Sequence, residues 1–231
     1  MCGRFTLTTD LKALAERFSV LPPPTASYNP RYNIAPTQPV VVVGDDGSRY
    51  MKQMKWGLIP SWAKDPAIGN KMINARADTI AEKPSFRNAL KKLRNALKKH
   101  RCLIPADGFY EWKKLEKLKP PMHIVLKSRE PFAFAGIWEH WTSPEKEEVL
   151  TCTIITTVAN ELMKDVHDRM PVILTRETES TWLDPKIQEP EKLLPLLKQN
   201  PADEMEFYPV SRQVNSPAVD KPSNIEPLQK N

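Results

Sequence analysis

The sequence is poor in the features that staple small or exported proteins together. Its 231 residues include three cysteines, Cys2, Cys102 and Cys152, odd in number and widely spaced. They supply no disulfide framework and fit a reducing cytoplasm. No CxxC or HxxxH spacing occurs among them and the four histidines, so neither a zinc site nor any other cofactor is expected. No charged start followed by a long apolar run marks a signal peptide or membrane span. No Ser/Gly linker or abrupt change of composition divides the chain. One domain over residues 1–231 is expected, with 1–220 as its core and 221–231 as a flexible tail.

What is present suffices for a core, since 40% of the residues are hydrophobic. The net charge of +6 suits an acidic partner such as nucleic acid without requiring one. Thr8-Thr9-Asp10 offers capping oxygens before LKALAERF, whose Leu11, Leu14, Ala15 and Phe18 recur at helical spacing. After LPPP, the stretch SYNPRYNIAPTQP reads as an ordered, extended loop. VVVV, the turn GDDGS and RYMKQMKW predict a β-hairpin.

The segment KPSFRNALKKLRNALKKH predicts a helix in which RNALKK occurs twice, at 87–92 and 94–99. Seven residues add about two turns and rotate the apolar face by only about 20°. Lys91, Lys92, Lys98 and Lys99 form a basic face open to phosphates or simply to solvent. From RCLIPADGFYEW onward, short strand-like runs dominate: MHIVLK, FAFAGIW, VLTCTIITT and MPVILT. Helical signals return at ANELMKDV, ETESTWL and EKLLPLLKQ, the last interrupted by Pro195. The whole reads as an α+β domain with a strand-rich core; Cys102 and Cys152 sit in apolar, β-branched surroundings that suit buried thiols.

Residues able to carry chemistry cluster in four segments, MCGRF, MINARAD, PADGFYEWK and VHDRMPVIL. Loss of Met1 leaves Cys2 with a free α-amine beside its thiol, with reference pKa values of about 7.7–8.0 and about 8.5. Such an amine forms a Schiff base with an aldehyde, and the thiol can close on the imine to give a thiazolidine. Glu111, between Tyr110 and Trp112, is either a general acid/base raised by apolar neighbours or a paired surface carboxylate. His167 is a titratable ring at an element boundary or a structural histidine, and Asn74 either orients a nucleophile or forms a turn. Arg4, Arg76 and Arg169 have forks suited to phosphate oxygens. Trp62 is either a stacking platform, where a base contributes about 1–3 kcal/mol, or a core residue.

The blocks MCGRF, RYNIAPTQ, WGLIPSWAKD, INARADT, RCLIPADGFYEWK, FAFAGIWE, TCTIITT, HDRMPVIL and PVSRQVNSP occur in that order along nearly the whole chain. In these the sequence closely resembles the SRAP family, the SOS response-associated peptidases, whose members act on abasic sites in DNA. The resemblance implies a single SRAP-type domain with a barrel-like core and peripheral helices. It also implies self-removal of Met1, then a thiazolidine crosslink between Cys2 and the ring-opened abasic sugar in single-stranded DNA, with AP-lyase activity where thiol closure is slow. By the same resemblance Cys2, Asn74, Glu111 and His167 form the catalytic set. Arg4, Arg76, Arg169, Asn33, Trp62, Thr156 and Arg212 hold the DNA or flank the site. A monomer that uses no metal and meets no membrane is expected. Two other functions compete: an amino-terminal-nucleophile peptidase or amidohydrolase acting on other proteins, and a noncovalent single-stranded nucleic-acid-binding module.

Overall fold

The valine run at 40–43 is buried along its whole length, as in a strand covered on both faces rather than one that alternates. In a computed structural model, which describes residues 2–20, 28–80, 100–113 and 119–228, that run forms β3 (Pro39–Asp45) and pairs with β4 (Arg49–Trp56) as the predicted hairpin. The duplicated RNALKK, its four lysines, LPPP and residues 229–231 lie outside the described residues.

β3 also pairs with β6 (Arg101–Ala106), and β6 with β9 (Phe132–Thr142), both antiparallel. β9 in turn pairs antiparallel with β10 (Glu148–Val158). The ring closes where β10 meets β4 in parallel at Thr151↔Lys55 and Cys152↔Trp56. The result is a closed five-stranded barrel, the strand-rich α+β core expected from the sequence. Cys102 and Cys152 are both fully buried in it as free thiols.

A second, antiparallel sheet packs beside the barrel. Its strand order is β13 (Met205–Pro209), β8 (Pro121–Leu126), β7 (Gly108–Trp112), β1 (Phe5–Leu7) and β2 (Arg31–Ile34). Only Asp107 separates β6 from β7, so the chain passes from barrel to sheet almost without a loop. Edge-to-face rings join the two layers: Phe5 lies 5.2 Å from Trp56 and 5.7 Å from Phe134, and Phe109 lies 6.0 Å from Phe134.

Helices sit on the periphery. α1 (Leu11–Phe18) starts where the Asp10 side chain accepts from the Lys12 and Ala13 amides, and it buries Leu14, Ala15 and Phe18. Its end is Ser19 at φ 53°, a left-handed cap. α2 (Ala77–Ile80) and α3 (Glu161–Lys164) are single turns. α4 (Arg176–Leu183) lays Trp182 on β6, where its indole N–H donates to the Cys102 carbonyl at 3.0 Å. α5 (Pro190–Leu193) gives way to a tighter turn at Leu194–Leu196, as Pro195 led us to expect. No helix among the described residues is long and apolar enough to cross a membrane.

Two segments differ from the sequence reading. Residues 31–34, expected as loop, are strand β2, because β1 supplies the partner that makes an isolated extended segment into sheet. Residues 221–228, expected in the tail, pack on the body: Asn224 is fully buried, and the Leu228 amide donates to the Pro209 carbonyl at 2.9 Å.

Two consequences are measurable. Gly136 sits where β9 is flanked by both β6 and β10, and a Cβ there would lie 2.9 Å from Cys102 Sγ and 3.0 Å from Ile104 Cδ1. Gly136→Ala should lower the unfolding free energy in urea by about 1–3 kcal/mol. On β8, His123 is buried between Tyr110 and Tyr208, and burial lowers its pKa from 6.5 to about 4. Between those values the unfolded chain binds a proton that the folded chain refuses. Stability should therefore be full above pH 6.5 and fall as the pH drops through about 4. The loss should be on the order of 3 kcal/mol, and it should be largely absent from urea titrations of His123→Gln.

Candidate active site

Pairing of β1 with β7 sets the position of the amino-terminal residues. The Tyr110 amide donates to the Arg4 carbonyl at 2.9 Å, which extends the Phe5↔Phe109 register upstream toward Cys2 and Glu111. Cys2 is fully buried and Glu111 is 4% exposed. Burial, and then the Glu111 charge, push the Cys2 thiol well above its ordinary range, while the Arg4 backbone works in the opposite direction. The Cys2 carbonyl accepts from Asn74 Nδ2 at 2.8 Å. Asn74 Oδ1, on the same amide, is a buried acceptor with no hydrogen-bond partner.

Asn74 comes from β5 (Asn74–Arg76), which runs parallel to the distal half of β10 with Ile154↔Asn74 and Thr156↔Arg76. The other side of that half pairs with β11 (Arg169–Pro171), placing Arg169 opposite Val158. Arg169 is buried and donates to the Thr156 carbonyl at 2.6 Å and to Thr156 Oγ1 at 3.3 Å. It also pairs with Asp78 at 3.0 Å, and the other Asp78 oxygen lies 3.2 Å from Arg76. His167 follows α3, its amide bonded to the Met163 carbonyl at 2.8 Å. Its Nδ1 lies 3.0 Å from the Arg169 amide and 2.6 Å from Asp168 Oδ1. The first contact needs a bare nitrogen and the second a protonated one, so the ring has a neighbour for each state.

One strand thus brings Asn74, Arg76, Thr156 and Arg169 together, with His167 attached through Arg169 and Cys2 through Asn74. Two further expected DNA residues are buried at the base of another segment. Arg4 donates to Asn33 Oδ1 at 2.7 Å and to the Val214 carbonyl at 2.6 Å. Asn33 is fully buried and shares its amide hydrogens among the carbonyls of Val214, Ser216 and Val219. Both side chains therefore hold the segment that presents Arg212, which is exposed on the turn Arg212–Asn215. Trp62 is 46% exposed, against its reading as a core residue, on a turn anchored by a 2.8 Å bond from the Trp141 indole to the Ala63 carbonyl.

Three residues of this region escaped the sequence reading. Asp107 accepts from Thr6 at 2.6 Å and from the Thr8 hydroxyl at 2.8 Å, tying β1 to the β6–β7 junction. His123 packs against Tyr110 in a tilted pair with centroids 4.8 Å apart. Asp78 joins two arginines whose segments are far apart in the chain, so only its place beside Arg76 in INARAD hinted at a role. Among the described residues no group of three or more His, Cys, Asp or Glu side chains could hold a metal ion.

The model of the SOS response associated peptidase (SRAP) family matches residues 1–217. The chain is 52% identical to the abasic site processing protein YoqW of Bacillus subtilis over 229 residues, covering 98% of this chain and 99% of that one. It is 33% identical to the abasic site processing protein HMCES of Gallus gallus, covering 87% of this chain and 67% of the relative. A crystal structure of a protein from Bacteroides thetaiotaomicron superimposes with a TM-score of 0.86 at 28% identity, covering 99% of this chain and 100% of that one.

The burial of Asn33 carries its own prediction. Asn33→Ala strips partners from Arg4 and from three carbonyls, and should lower stability by about 2–4 kcal/mol in urea unfolding. Arg212→Ala, at an exposed site, should leave stability within about 0.5 kcal/mol.

Proposed function

The chain belongs to the SOS response associated peptidase family, and on that premise we propose that it processes abasic sites in single-stranded DNA through Cys2. The observation that carries the reading is the placement of Cys2 beside Glu111 with its carbonyl held by Asn74. Hydrolysis of the Met1–Cys2 peptide bond frees the α-amine. That amine adds to C1′ of the ring-opened sugar, and water leaves to give the imine. The thiol then adds across the C=N bond, its proton passing to nitrogen, and the thiazolidine closes.

The side chains divide this work. Glu111 takes and returns protons at the α-amine, and its buried position strengthens its hold on that group. Asn74 Oδ1, a buried acceptor without a partner, takes a hydrogen bond from the amine once it is free, so that attack proceeds from a fixed geometry. His167, with a neighbour for either protonation state of Nδ1, gives a proton to the sugar ring oxygen and so favours the aldehyde. Arg76, Arg169 and Arg212 hold phosphates and Trp62 offers an exposed ring to a base, while Arg4, Asn33 and Thr156 support them. An imine that escapes the thiol eliminates the 3′ phosphate, which is the lyase branch. An unpaired strand reaches such a pocket without the duplex unstacking cost of a few kcal/mol. The protein works as a cytoplasmic monomer without cofactor. Full burial of Cys2 favours a neighbouring peptide bond over an external protein as the hydrolytic substrate.

The test is a labelled single-stranded oligonucleotide with one abasic site, incubated with protein whose intact mass reports loss of Met1. A heat-stable shifted band is expected, absent with Cys2→Ala and with undamaged DNA. Its absence from fully processed protein would overturn the reading. Glu111→Gln should slow crosslinking by about 100-fold or more.

A further inference from the structure

Asp78 lies in the first turn of α2, directly after β5. Its two carboxylate oxygens are divided between two guanidinium groups. Oδ1 lies 3.0 Å from Arg169 Nη2 and Oδ2 lies 3.2 Å from Arg76 Nη2. A phosphodiester offers the same fork, two anionic oxygens sharing one negative charge, and guanidinium groups bind the two alike. The three side chains are graded in exposure. Arg169 is 5% exposed and anchored on Thr156, whereas Asp78 and Arg76 are 49% and 52% exposed. An anion arriving from solvent therefore meets Asp78 where it would need the arginines. Although burial pushes the Asp78 carboxyl upward, its own backbone N–H and the two arginines outweigh that and hold it below the usual carboxylate range.

We propose that Asp78 is a specificity-determining residue, an internal competitor that occupies the phosphate position between Arg76 and Arg169. This rests on the abasic-site function proposed above. Undamaged single strands must displace the carboxylate for a modest return, so they bind weakly and leave. An abasic strand meets the same displacement, but covalent capture holds it after it has bound. Asp78 thus sharpens lesion choice by weakening what every strand shares.

Equilibrium binding of an undamaged labelled single strand, measured against salt concentration, separates this competition from the crosslinking chemistry. Asp78→Asn is nearly isosteric and removes the charge. It should bind roughly three- to tenfold more tightly at low salt, with a log–log salt slope steeper by about 0.7–1.4, equivalent to one or two added phosphate contacts. Asp78→Glu, which keeps the charge, should retain the wild-type slope. In a mixture with undamaged competitor strand, Asp78→Asn should form less abasic-site adduct than the wild type. Equal or weaker binding by Asp78→Asn, an unchanged slope, a matching gain in Asp78→Glu, or an Asp78→Asn chain without a cooperative unfolding transition would each overturn the proposal. A wild-type chain that forms no adduct with the abasic strand overturns the abasic-site reading instead, and the undamaged-strand slopes still decide the competition at Asp78.

Discussion

Strand β10 is the constraint on which the other parts depend. Its eleven residues are too many for the barrel alone. Residues 148–154 pair with β9, and Thr151 and Cys152 meet β4 to close the ring. From Ile154 onward the same strand runs beyond the barrel and serves as the shared partner of β5 and β11. A strand gripped on both edges along most of its length cannot slip, since a one-residue shift would exchange its buried and opposite faces. The register that closes the barrel therefore also sets Asn74, Arg76, Thr156 and Arg169 relative to one another. Functional geometry here is inherited from core geometry.

Buried polarity shows the same economy. Arg4, Asn33, Thr156 and Arg169 are each under 9% exposed, and such groups are tolerated when hydrogen bonds replace water. The replacements reach across the chain: Arg4 bonds to Val214, and Arg169 bonds to Asp78 and Thr156. Each pairing ties a segment of the site to a distant part of the chain. Groups suited to DNA contact thus fall into two sorts, exposed ends such as Arg212 and Trp62 and buried supports such as Asn33.

Legibility followed the range of the interaction. The β3–β4 hairpin could be read because its apolar run and turn are contiguous, and α1 because its cap and apolar stripe lie within nine residues, Asp10–Phe18. Strand β2 could not, since Arg31–Ile34 has no strand pattern of its own and becomes sheet only against β1. The residues 221–228 look like a polar tail until Asn224 is seen buried and bonded to the Val219 carbonyl at 2.8 Å. The site divides in the same way. Cys2, Asn74, Glu111 and His167 stood out by chemical type and by their motifs. Asp78 did not, because a carboxylate two residues from an arginine is an ordinary surface pair unless Arg169 joins it.

The sequence by itself determined the strand-rich α+β class, the hairpin and first helix, the family, and the residue types at the candidate site. These depend on local patterns and on motifs that survive in linear order. Only the tertiary structure decided that the barrel closes through β10, that Asn33 faces inward while Trp62 faces out, and that one carboxylate is shared by two arginines. Those outcomes depend on which distant segments exclude water from one another, and burial is a property of the assembled chain rather than of any stretch within it.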